Sequence, residues 1–342
     1  MSAADPIEAE LRELVAAQLG ARVQSVSTLT GGGVSHRGFF RLTLAAGPVR
    51  TLVARVDRGE PGSGVLPEPP LEPLRGFLAS HGIPVPRRLG GDAARGIDLL
   101  EDAGRTTQED AVRAHPEVRR ALYAEACDWI AALQRLADPS GAVHAFHRSL
   151  DAAVVAVKAR RFTASGLPAL LGRPATAAEE ACVRGAFDVV LAAVEAAPRR
   201  LAHRDYQSRN LLVRAPDPRG HRLVMIDLQG AFLAPPEYDA VCLLRDTYVV
   251  LPDALVDELA ERTRAAVPDP PDRESFAVRF DLLTVARKAK DFALCHELAA
   301  RGDRSWLPFA AATIGYVRRA LARVAHRDPR LAALHALLGA AP

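Results

Sequence analysis

Leu201-Ala202-His203-Arg204-Asp205-Tyr206-Gln207-Ser208-Arg209-Asn210-Leu211-Leu212-Val213 decides how this chain is read. Asp205 and Asn210 stand five positions apart, and the apolar run behind them reads as a strand that anchors a polar loop. A second apolar run, Leu223-Val224-Met225-Ile226, ends in Asp227 and passes into Leu228-Gln229-Gly230. Asp227 is the only acidic residue between Asp217 and Glu237. Either half alone reads equally well as a polar turn or a helix cap. Together, in order and each attached to a strand, they point to a site for phosphoryl transfer.

The pattern His-Arg-Asp, four residues, Asn resembles the catalytic loop of the protein-kinase signature set. That resemblance implies that Asp205 accepts or orients the proton of an attacking hydroxyl. Asn210 and Asp227, the latter at the place of the kinase Asp-Phe-Gly aspartate, would hold Mg²⁺.

Composition bounds the rest. At 342 residues the chain is long for one domain and suits two lobes sharing a cleft, with 49% apolar residues to fill a sizeable core. The formal charge of +3 and the lack of a dense basic run with interleaved aromatics argue against a nucleic-acid partner. No apolar stretch approaches the length of a membrane span, and Met1 to Pro6 does not read as a signal peptide. Cys127, Cys182, Cys242 and Cys295 are widely spaced in apolar helical patterns, so buried thiols in a reduced cytoplasm are expected. Lysine occurs only at Lys158, Lys288 and Lys290, and arginine supplies the other basic side chains.

Working outward toward the start, residues 6–20 carry apolar side chains at helical spacing and stop at Gly20. Strand-like segments follow at 23–29, 39–44 and 51–56. Between the first two lies Thr30-Gly31-Gly32-Gly33-Val34-Ser35-His36-Arg37, a turn whose glycines would let backbone N–H groups approach phosphates. Gly31, Gly32, Gly33 and Ser35 are therefore expected at the nucleotide. The third strand offers Arg55 where protein kinases carry lysine; it is expected either as a phosphate clamp or as an outward-facing strand residue. A Pro- and Gly-rich loop at 58–70 precedes a helix expected at 71–81, on which Glu72, with Glu68 in reserve, could partner that cation. A hairpin is expected from Pro86–Leu89 and Gly96–Glu101, turning at Gly90-Gly91-Asp92. It runs into Leu99-Leu100-Glu101-Asp102-Ala103-Gly104, a hinge whose backbone at Glu101 and Ala103 could meet an adenine edge. Beyond residue 106 the pattern is helical, with a long core helix near 118–136 and later helices at 150–162, 176–196, 238–250, 253–266, 274–300, 309–326 and 329–339.

This order of glycine loop, strand cation, hinge, His203-Arg204-Asp205, Asn210 and Asp227 resembles the aminoglycoside phosphotransferase-like, protein-kinase-like superfamily over roughly residues 20–330. Tyr206, Ser208-Arg209, Gln229, Tyr238-Asp239 and Leu243-Leu244-Arg245-Asp246 look closer to the bacterial anomeric kinases of N-acetylmuramate and N-acetylglucosamine. The sequence departs from that branch at Gly230, where a second acid is common, and Arg55 also resembles choline kinases.

The resemblance implies an α+β bilobal fold: an N-lobe sheet at 1–101 and a helical C-lobe at 102–342, with ATP and Mg²⁺ between them. Asp239 would brace the catalytic loop. The function expected is ATP-dependent phosphorylation of an amino-sugar hydroxyl in cell-wall recycling. The alternatives are antibiotic phosphorylation and a nucleotide-binding pseudokinase scaffold. Arg287, Lys288 and Lys290 form a basic cluster that either faces the cleft, where it would favour a neutral or anionic acceptor, or makes a solvated helix face.

Overall fold

The computed structural model describes residues 6–29, 37–57, 69–218 and 220–340. Gly31, Gly32, Gly33, Ser35 and Glu68 lie outside the described residues.

Helix α1 (Pro6–Leu19) buries Leu11, Leu14 and Val15, which recur at helical spacing. They close a small core with one face of an antiparallel sheet. Its strands are β1 (Val23–Thr28), β2 (Gly38–Leu44), β3 (Thr51–Val56), β4 (Arg88–Asp92) and β5 (Ile97–Glu101), in the order β1-β2-β3-β5-β4. Leu52, Ala54 and Val56 of β3 join the α1 core. The two-residue alternation of a strand then turns Thr51, Val53 and Arg55 to the opposite face. Register sets Arg55 between Phe39 of β2 and Asp98 of β5.

Two local expectations shift. Strand β4 runs through Gly90-Gly91-Asp92, and the turn falls at residues 93–96. The Asp92 carboxylate accepts the N–H groups of Ala94 and Arg95, which closes the turn one step later than the glycine pair suggested. Gly91 serves a different end: a Cβ there would meet the Ile97 carbonyl at 2.4 Å, so the residue permits close strand pairing. Helix α2 (Leu74–Ser80) begins three residues after the expected start, because Pro73 occupies the N-cap.

After β5 the chain is mostly helical: α3 (Gln108–Ala114), α4 (Arg119–Gln134) and α5 (Ala152–Arg161). A π-turn at Phe162–Gly166 leads to α6 (Leu167–Leu171), then α7 (Ala177–Glu195). Two short antiparallel pairs carry the site: β6 (Arg200–Ala202) with β9 (Phe232–Ala234), and β7 (Leu211–Val213) with β8 (Leu223–Met225). Helices α8 (Tyr238–Leu244), α9 (Asp253–Ala266), α10 (Arg273–Ala300), α11 (Ala310–Val324) and α12 (Pro329–Ala340) complete the lobe.

Helix starts follow the sequence chemistry. Thr107 with Asp110 and Thr176 with Glu179 form capping boxes, and Asp151 and Asp272 cap α5 and α10. The second core is large and also takes in α2 and Leu100. At 28 residues α10 spans about 42 Å and forms the spine of this lobe. The architecture is α+β: a small antiparallel sheet with one packed helix, and a larger, mostly helical lobe. Among the described residues no helix is long and apolar enough to cross a membrane. The four cysteines are free thiols, and burial pushes Cys127 up to about 12.

Candidate active site

Strand β6 delivers His203, and the polypeptide then turns sharply because Arg204 adopts φ +79°. A non-glycine residue holds that left-handed conformation only when its neighbours over-determine it. Here Asp239, at the start of α8, supplies the constraint. Its buried carboxylate accepts the N–H of His203 at 2.6 Å and that of Arg204 at 3.0 Å. Cys242 Sγ and Arg287 Nη1 both donate to the Arg204 carbonyl, each at 3.3 Å. Tyr206 is wholly buried and donates its hydroxyl to the Ala126 carbonyl at 2.9 Å. Further along, the Ser208 N–H and hydroxyl both donate to Asp246. Arg209 pairs with Glu109 at 2.5 Å and lies 3.7 Å above the Tyr248 ring. Three buried carboxylates, Asp239, Asp246 and Glu109, thus fix one loop.

Helix α8 explains another shift. It stops at Leu244, not near residue 250, because Asp246 leaves the helix to reach Ser208 and also accepts the N–H of Tyr248 at 3.1 Å.

The loop leaves the Asp205 carboxylate 28% exposed. Arg287 of α10 donates to it at 2.8 Å, and Arg204 Nε stands 3.9 Å away. Burial alone would raise its pKa, but Arg287, Arg204 and Lys290 outweigh that and hold it well below the usual carboxylate range. Asp205 is therefore an anion at neutral pH, better suited to orienting a hydroxyl than to storing its proton. The buried Asp239 goes the other way: desolvation pushes it up to about 6 despite its hydrogen bonds.

Asn210 and Asp227 come together through the β7–β8 hairpin. Leu211 pairs with Met225, and the Ile226 N–H donates to the Asn210 carbonyl at 3.0 Å. His203 Nε2 lies 2.9 Å from the Ile226 carbonyl, which ties the loop to the residue before Asp227. The Asn210 amide spends its Nδ2 on the Asp205 carbonyl at 2.8 Å, leaving Oδ1 as its acceptor. Asp227, at φ +63°, receives Gln229 at 2.5 Å and Arg37 at 3.1 Å, both on Oδ1. An amide oxygen and a carboxylate oxygen are hard donors of the kind Mg²⁺ takes, and phosphate oxygens and water commonly complete such a set. Among the described residues no cluster of three or more His, Cys, Asp or Glu side chains forms a metal cage.

On the N-lobe side, Arg55 is buried on the sheet face opposite α1. It donates to Asp98 at 3.0 Å and to Asp57 at 2.5 Å. Glu72 is not its partner; that carboxylate pairs with Arg75 and caps Gly76 at 2.9 Å. At the hinge, the Glu101 N–H is committed to the Arg87 carbonyl at 2.8 Å. The Ala103 backbone takes no protein partner among the described residues. Two arginines carry roles that the sequence did not suggest. Arg41 is buried against Asp102 in a two-point pair at 2.7 and 2.9 Å and also donates to the Gly104 carbonyl, bracing the hinge. Arg37 joins the lobes through Asp227. Neither sits in a recognisable motif; the pairings arise from register and tertiary approach. The basic cluster on α10 is not a solvated face: Arg287 and Lys288 are buried, and Lys290 is 21% exposed.

Residues 27–277 match the phosphotransferase enzyme family. An N-acetylmuramate/N-acetylglucosamine kinase of Pseudomonas aeruginosa is 31% identical over 279 residues, which cover 80% of this chain and 78% of that protein. Choline kinase LicA from Streptococcus pneumoniae superposes with a TM-score of 0.61 at 14% identity, over 94% of this chain and all of that one. A spectinomycin phosphotransferase, solved with ADP and spectinomycin, gives 0.60 at 12% identity over 98% and 99% of the two chains. The fold is thus that of kinases acting on small molecules. The chain belongs to the phosphotransferase enzyme family, and it is a small-molecule kinase that moves phosphate onto a hydroxyl.

Proposed function

We propose that this kinase phosphorylates the anomeric hydroxyl of an amino sugar, N-acetylmuramate or N-acetylglucosamine, with ATP as donor, and so serves cell-wall recycling. The relative that carries this name matches four-fifths of the chain. The observation that carries the choice of acceptor is the cationic surround of Asp205, made by Arg204, Arg287 and Lys290. A polycationic aminoglycoside would be repelled there, whereas a neutral or anionic sugar would not.

The roles follow from the chemistry. The N-lobe, taken as residues 1–101, would cover the nucleotide, with Gly31, Gly32, Gly33 and Ser35 at the phosphates. Arg55 would neutralise phosphate charge, and Glu101 and Ala103 would edge the adenine, Ala103 with free backbone groups. The C-lobe, 102–342, would hold the acceptor. Mg²⁺, held by Asn210 and Asp227, would offset phosphate charge. Asp205 would align the sugar hydroxyl with the γ-phosphorus. A new O–P bond forms as the bond to the β-phosphate oxygen breaks, ADP departs, and the hydroxyl proton passes by way of Asp205 to solvent. A fixed anion at the end of a rigid loop supports positioning more than proton storage.

The test offers N-acetylmuramate, N-acetylglucosamine and kanamycin separately with Mg-ATP and locates the product by phosphorus NMR. Phosphate at the anomeric carbon supports the reading; efficient kanamycin phosphorylation with no sugar turnover replaces it with antibiotic phosphorylation.

A further inference from the structure

Resting on the sugar-kinase reading, we infer that Lys290 selects acceptors bearing a carboxylate, its ammonium pairing with that group while the reacting hydroxyl lies at Asp205. Helix α10 is buried without a break from Asp281 through Ala289, and Lys290 is the first residue after that run to open to solvent. Burial and Arg287 lower its pKa while Asp291 and Asp205 favour the ammonium, which places it in the same neighbourhood as the loop carboxylate.

One carboxylate there carries three cations. Arg287, Lys288 and Lys290 all reach the single carboxylate of Asp291, at 3.4, 2.9 and 3.1 Å. Arg287 also serves Asp205, which has Arg204 at its other side. Lys158 adds a further buried amine, its charged form disfavoured by burial and then by Arg287 and Lys290. Among the described residues the ion pairs set Asp205 and Asp291 against Arg287, Lys288 and Lys290, with the buried Asp246 also near Lys288, so the carboxylate beside Lys290 is already shared by three cations.

Of the three cations on Asp291, Lys290 combines access with donor capacity. Lys288 is fully buried against Asp291 and Thr247, and Arg287 is buried and directed at Asp205, Asp291 and the Arg204 carbonyl. Lys290 makes one hydrogen bond, to Asp291, and an ammonium has three N–H groups. The transferred phosphoryl group is the competing anion, and the acceptors distinguish the two: a phosphoryl contact serves every acceptor alike, whereas a carboxylate contact serves one class.

The experiment compares wild type with Lys290→Met, which keeps the stem and removes the charge, and with Lys290→Arg. Each is assayed with saturating Mg-ATP on N-acetylmuramate, on the same sugar amidated at its carboxyl group, and on N-acetylglucosamine. Lys290→Met is expected to lower kcat/KM for N-acetylmuramate about 10- to 100-fold, mainly through KM, the range of a lost charge-assisted hydrogen bond. The neutral and amidated sugars should lose only the share that Lys290 contributes to the charge around Asp205, so the preference for N-acetylmuramate over them should fall about tenfold or more. Lys290→Arg should restore much of the preference. Equal losses on all three acceptors would assign Lys290 to the phosphoryl group or to Asp205 and overturn the inference, as would an unchanged preference. Should Lys290→Met melt early, Lys290→Gln reads the same ratio. A wild-type enzyme that phosphorylates neither sugar fails at the level of the sugar-kinase reading; one that phosphorylates both with Lys290-independent preference overturns only this inference.

Discussion

Replacing Asp239 probes how the catalytic loop is held. Its carboxylate accepts two backbone N–H groups, at 2.6 and 3.0 Å, in a site that is 1% exposed. Asp239→Ala orphans both donors, and each buried unsatisfied group costs about 1–3 kcal/mol, so a loss of about 2–6 kcal/mol is expected. Asp239→Asn keeps one acceptor oxygen and should lose about half of that. The functional effect should exceed the thermodynamic one. Arg204 keeps its φ of +79° under this constraint, and Asp205 is the next residue. A shift of about 1 Å at the reacting group lowers turnover about 100-fold.

The pH dependence separates Asp239 from Asp205. Burial raises Asp239 to about 6, above an unfolded carboxylate, so as pH falls through 6 toward 4 the folded state takes the proton first. This group therefore adds stability over that window, yet its protonated form gives up acceptor capacity toward the loop. Turnover should fall below about pH 6 while the chain stays folded. Asp205 cannot produce that limb, because Arg287, Arg204 and Lys290, against its burial, keep it ionised far below. Asp281 also rises to about 6 by burial, but its ion pair is with Arg323 of α11 and, among the described residues, it accepts no N–H of the loop. Urea unfolding and a kcat–pH profile of Asp239→Asn supply the data. An acid limb that persists near pH 6 in this variant, or stability unchanged to within about 0.5 kcal/mol, would refute the argument.

Arg55→Ala should raise KM for ATP by about tenfold and Arg55→Lys should recover part of that, since a point charge reaches phosphate without a two-point fork; unchanged ATP kinetics with a lowered Tm would confine Arg55 to its pairs with Asp57 and Asp98. Asp227→Ala should weaken nucleotide binding in Mg²⁺ and leave metal-free binding little altered, measured by calorimetry with and without the ion; equal losses in both would move the metal elsewhere. Arg41→Ala should cost about 3–5 kcal/mol by stranding the buried Asp102 carboxylate. Burial opposes and Arg41 favours the low pKa of Asp102, so the wild-type advantage should shrink as pH falls through the acid range; an advantage that stays constant with pH would contradict that linkage.

How legible the chain was follows from how local each signal is. The loop from His203 to Asn210 and the strand ending before Asp227 were plain, because their polar and apolar residues alternate within a few positions. The helix expected at 176–196 lies at Ala177–Glu195, its capping box of Thr176 and Glu179 falling within four residues. The hairpin turn was misplaced because two adjacent glycines suggest a turn, whereas here Gly91 serves close strand pairing and Asp92 makes the turn. The end of α8 was misplaced because Asp246 is drawn off the helix by Ser208, 38 residues away in sequence. Arg41 with Asp102 and Arg209 with Glu109 could not be paired at all, since 61 and 100 positions separate the partners. Asp239, by contrast, was expected to brace the loop, and its carboxylate does so.

The central claim is that Asp205 aligns the acceptor hydroxyl, and turnover of Asp205→Asn beside its ATP affinity tests it most directly. Loss of a positioned acid–base group predicts a fall in kcat of about 100- to 10,000-fold, with ATP affinity and Tm close to wild type. Turnover within about tenfold of wild type in a folded, ATP-binding variant would contradict the claim.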